Sequence, residues 1–66
     1  MTMLKVIEVL TDSDKSWEDA AQNAVKEAGK TVRNIKSIYI KDFEATVDGD
    51  RVVKYRVNAK ISFMLE

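Results

Sequence analysis

Asp12, Asp14, Glu18 and Asp19 crowd into one short polar segment, "TDSDKSWED". Carboxylate oxygens at this density are the ligand type that Ca²⁺ prefers. The segment lacks the glycine and the distal glutamate of an EF-hand loop, so a capped helix start beside a solvated turn accounts for it better. Asp48 and Asp50 flank Gly49 and could also meet a cation, but ordinary turn chemistry explains them. Trp17 is the only tryptophan. It can stack a planar ligand, or it can anchor a helix start on a sheet. The chain has no His and no Cys, which removes zinc sites, thiolate chemistry and the Ser-His and Cys-His nucleophile pairs. No phosphate-binding loop is present. No enzymatic activity is expected.

The chain has 66 residues, with 11 Lys+Arg against 11 Asp+Glu. That balance argues against a nucleic-acid binder that works by counterion release. The N-terminal "MTMLKVIEVL" is too short to span a bilayer and lacks the charged start and cleavage site of a signal peptide. A cytoplasmic protein without membrane partners is expected, forming one domain over residues 1–66. A domain this small buries only about 60% of the surface of its unfolded chain and usually needs a staple. Disulfides and zinc being excluded, homo-oligomerisation is the staple that remains.

The elements that must position these residues are legible in outline. Leu4 to Leu10 is short and rich in Val, Ile and Leu, as a first strand should be, and "TDSDKS" follows as a polar turn. Ser16 suits a helix N-cap, with Asp19 as the acidic half of a capping box. Trp17, Ala21, Ala24 or Val25, Ala28 and Val32 recur at helical spacing. The spacing predicts a helix over 17–33, with Glu18 and Asp19 at its positive end, Lys30 and Arg33 at its negative end, and Gly29 inside it. Two strands remain, 36–47 and 51–65, joined at Asp48-Gly49-Asp50. In the last, Val53, Tyr55, Val57, Ala59, Ile61 and Phe63 alternate with polar residues, the mark of a half-buried strand.

One helix between the first two strands makes them run the same way. The fold class expected is therefore α+β, β-α-β-β, an antiparallel sheet with the third strand central and one helix covering its odd-numbered face. Odd pairs with odd if Val47 lies opposite Arg51, which calls for a three-residue loop or a bulge. That register sets Asp42 opposite Arg56 and Glu44 opposite Lys54. It leaves Ile38 and Ile40 on the even face, where they would be subunit contacts. A helix of about 25 Å cannot cover a strand of nearly 50 Å at about 3.3 Å per residue. The strand must curl round the helix, or other subunits must cover the rest.

The succession "KVIEVL", a Ser/Asp turn, "SWEDAAQNAVKEAGKTVRNI", a second strand, an acidic turn and "VKYRVNAKISFMLE" resembles the dodecins along almost the whole chain. The resemblance implies a sheet partly wrapped round its helix and a hollow homododecamer. In most known members it implies flavins bound in pairs against tryptophan at two-fold interfaces, stored rather than used in catalysis. Residue by residue, the flavin site does not carry over. Where flavin binders have Trp-Phe-Glu-Val, this chain has Ser37-Ile38-Tyr39-Ile40, so Ser37 stands for the stacking tryptophan. Arg56 stands for the glutamine that reads the ring edge. Glu44 and Met64 stand for two arginines, and Glu44 opposes the charge that a flavin phosphate requires. Flavin binding is expected to be weak or lost. "SW" at the helix start, the acid at Glu44 and the pair Tyr55-Arg56 are closer to the calcium dodecin branch. Calcium, with Asp12 and Asp14 as candidate ligands, or another small ligand is then the alternative, and a purely structural oligomer is the rival.

Overall fold

The computed structural model describes residues 2–65. Strand β1 (Met3–Ser13), helix α1 (Trp17–Ala28), strand β2 (Ile35–Asp48) and strand β3 (Arg51–Leu65) follow in that order. The sheet is antiparallel, ordered β1-β3-β2, so the longest strand lies in the centre as its alternation requires.

Both β1 and α1 differ in extent from what the sequence pattern gives. β1 continues through Thr11, Asp12 and Ser13 because β3 offers each a partner: Val57, Arg56 and Tyr55. Cross-strand pairing outweighs the turn propensity of these polar residues. α1 stops at Ala28 rather than Arg33. Gly29 is its C-cap, and the last bonds tighten: Lys30 N–H donates to Glu27 O (3.2 Å) and Thr31 N–H to Ala28 O (3.1 Å). The β-branched Thr31 and Val32 disfavour a further turn, and Asn34 turns the chain into β2 at φ 62°. Gly29 is therefore a terminator, and Lys26, not Lys30 or Arg33, is the basic residue of the last turn. Lys30 instead pairs with Glu27 at 2.7 Å. That hydrogen bond and charge hold the Glu27 carboxyl below its ordinary range. A lowered carboxyl pKa adds stability above the ordinary value and loses it as the pH falls. The effect is small because the pair is exposed.

The helix start is tied to the end of β1. Ser16 Oγ accepts from Asp19 N–H at 2.9 Å, as an N-cap should. The Asp19 carboxylate does not complete a capping box. Its Oδ2 accepts from Ser13 Oγ at 2.6 Å, and Ser13 Oγ accepts from Lys15 N–H at 2.9 Å. Ser13 is buried. Ser13→Ala leaves the Lys15 N–H and the Asp19 carboxylate each short of a partner. It should cost about 2 kcal/mol, measured by urea unfolding at fixed protein concentration.

The hairpin register corrects the expected pairing. Asp48 pairs with Arg51 and Val47 with Val52, closing a two-residue loop in which Gly49 takes φ 68°. A bulge between Thr46 and Val47 then restores the odd-to-odd match, so Ala45 meets Tyr55 and Phe43 meets Val57. A second bulge lies between Ile40 and Asp42. It reverses the faces of the first half of β2, because one extra residue shifts the side-chain period by one. Ile38 now pairs with Ile61 and Ile40 with Ala59. Residues directly opposite share a face, so both isoleucines lie on the helix side, not the even outer face. Tyr39 and Ser37, opposite Lys60 and Ser62, lie on the outer side.

The core is thin. Among the described residues its fully buried apolar members are Ala20 and Ala24 of the helix and Val57, Ala59 and Ile61 of β3. The alanines let α1 approach the sheet closely, but bury little area each. A helix of this length reaches about 18 Å, against a molecule 51 Å long. Leu4, Val6 and Leu10 on the outer face, and Val47, Val52 and Val53 on the hairpin, stay exposed.

Candidate functional site

The sheet face turned away from the helix gathers most of the chain's polar chemistry. Even-numbered residues of β3 reach it because the odd ones are packed under the helix. Arg56 stands in the middle of a row across all three strands, with Asp12 of β1 on one side and Glu44 of β2 on the other. Its Nη2 lies 3.4 Å from Asp12 Oδ2, and its Nη1 lies 3.8 Å from Glu44 Oε1. These distances exceed those of a tight charge-assisted bond, and all three side chains keep contact with solvent. The row therefore corrects two expected pairs. Glu44, not Asp42, lies opposite Arg56, and Asp42 lies opposite Asn58.

A second ion pair, Lys41 to Glu8 at 3.5 Å, bridges the same face. Lys41 is the extra residue of the β2 bulge, so the backbone irregularity supplies that contact. Between the two rows lies a shallow hollow lined by Leu10, Asp42, Phe43, Glu44 and Asn58. The Asn58 side-chain oxygen is buried without a hydrogen-bond partner. Neither Asn58 nor Tyr39 was marked by the sequence pattern. Asn58 reads as one more polar residue of an alternating strand, and Tyr39 reaches the outer face only through the bulge.

Ser37 bonds through its hydroxyl to that of Ser62. Met64 follows on the same face, opposite Leu4, and its backbone N–H donates to Asn34 O at 3.0 Å. Ser37 and Met64 thus form a group separate from Arg56 and Glu44. Ser62 and Arg56 are six positions apart on β3, about 20 Å of strand. Asp12 sits in the Arg56 row, whereas Asp14 is exposed beyond the end of β1, and Asp19 is engaged by Ser13. Among the described residues no group of three or more acidic, His or Cys side chains is arranged to hold a metal ion.

A flavin does not fit the groups present in this chain. At the two positions that the resemblance gives to the stacking ring and the ring edge, Ser37 carries a hydroxyl bonded to Ser62, and Arg56 a guanidinium between two carboxylates. Trp17 does not replace the missing ring. It lies on the helix side, edge-on to Tyr55 (centroids 5.0 Å) and to Phe43 (5.8 Å), and its Nε1–H donates to Glu44 O at 3.0 Å. It is the anchor of the helix start on the edge of β2. Trp17→Phe should cost about 1 kcal/mol through the lost hydrogen bond, and Trp17→Ala about 3–5 kcal/mol. Circular dichroism during denaturation separates the two: no loss in Trp17→Phe would show that the N–H is immaterial, and equal losses would show that ring packing is.

Comparison with known proteins adds the following. The family model for Dodecin matches residues 3–66. The calcium dodecin of Mycobacterium tuberculosis is 32% identical over 65 residues, 98% of this chain and 92% of that protein. The crystal structure of this calcium-chelating antigen superposes with a TM-score of 0.82 at 31% identity, over 97% of this chain and 91% of that one. A single-substitution variant of T. thermophilus dodecin superposes with a TM-score of 0.94 at 29% identity, over 100% of this chain and 98% of that one. Dodecin from Streptomyces coelicolor gives 0.93 at 26%, over 98% and 93%.

Proposed function

The chain belongs to the dodecin family, and from that premise we propose that it is a non-enzymatic binding and storage protein, a hollow homododecamer that holds a small ligand or cation at its subunit interfaces. The observation that carries this reading is the family match over nearly the whole chain. The thin core supports it further: a chain that leaves Leu4, Val6, Leu10 and the hairpin valines exposed gains much by assembly. Among the described residues no helix is long and apolar enough to cross a membrane. We place the protein in the cytoplasm, without membrane or nucleic-acid partners.

Within this proposal a cation is favoured over a flavin. The relative that is 32% identical is named for calcium. At the positions that the resemblance gives to the flavin's stacking ring and phosphate partner, Ser37 offers no ring and Glu44 a negative charge. No single chain gathers three acidic ligands among its described residues, so a calcium ion would draw its oxygens from more than one copy, with Asp12 and Asp14 as this chain's contribution. The rival reading, a structural oligomer without ligand, is favoured by the self-satisfied pairs Ser37–Ser62 and Asp12–Arg56–Glu44.

Light scattering and a calcium titration test these readings together. Twelve chains in solution are the expected result, and a stable monomer at micromolar concentration would overturn the assembly. Calcium should give saturable heat in titration calorimetry that disappears in Asp12→Asn/Asp14→Asn. Binding undiminished in that variant would remove both residues from the site. No binding in the natural protein would leave the structural oligomer as the function.

A further inference from the structure

We draw no further inference here: the strongest candidate, the apolar strip that Val47, Val52 and Val53 leave bare on the β2–β3 hairpin, carries nothing because nothing in the structure shows what covers it.

Discussion

Ile61→Ala should lower the unfolding free energy by about 3 kcal/mol. Ile61 is fully buried at the centre of the sheet, with Ile7 opposite it on β1 and Ile38 opposite it on β2. The buried helix residues, Ala20 and Ala24, are too small to fill the gap. A domain of this size has roughly 3–10 kcal/mol of stability in total, so the substitution removes a large share of it. Ile61→Val deletes one methylene and should cost only about 1 kcal/mol. Urea unfolding followed by far-UV circular dichroism, at one protein concentration for all variants, measures both. A loss below 1 kcal/mol for the alanine variant would mean that the core lies elsewhere, in contacts between copies.

The second large effect concerns binding. Ser37→Trp with Arg56→Gln should tighten riboflavin binding at least tenfold over the natural chain, read as quenching of riboflavin fluorescence. Tenfold is about 1.4 kcal/mol, and ring stacking alone contributes about 0.5–1.5 kcal/mol beyond area burial. Ser37 is exposed and lies opposite Ser62 across the strands, on the outer face where an indole would stack. Because about 20 Å of strand parts the two positions, one flavin meets both only between two copies, where Gln at 56 of the second copy supplies a neutral donor and acceptor in place of the guanidinium between Asp12 and Glu44. Removing that guanidinium also leaves both carboxylates without their counter-charge. The phosphate ester of riboflavin should therefore gain less than riboflavin itself. If the double variant bound riboflavin no better than the natural chain, the missing ring and the arginine would not be why the pocket fails.

Much of the fold was legible because one strand carries such a regular signal. The alternation from Val53 to Phe63 identifies β3 as half-buried. With one helix between the first two strands, connection rules then place it in the centre. The helix start was legible too, since Ser16 and the acidic first turn act locally. The helix end was not: Gly29 is compatible with an interior position, and the tightened bonds of Lys30 and Thr31, with the turn at Asn34 beyond them, end the helix instead. The faces of β2 were the larger miss. Nothing in "IYIKDFE" announces a bulge, which follows from how three twisted strands fit round a helix. One backbone irregularity therefore moved Ile38 and Ile40 under the helix and Tyr39 out. The candidate site inherits this limit. The replacements at Ser37 and Arg56 were visible as residue types, whereas the partners that engage them, Ser62, Asp12 and Glu44, depend on register.

The pairing of β1 with β3 also bears on how the chain is made. Met3 lies opposite Leu65, and every partner of β1 comes from the last strand. On a ribosome β1 emerges before the other elements of this domain and waits for β2 and then β3 before its partner strand exists. α1 is local and forms early, but the sheet cannot close until β3 has been made. Contacts of such long sequence separation fold slowly, and Leu4, Val6 and Ile7 are without strand partners throughout that delay. Until then the nascent domain is most vulnerable to aggregation along β1.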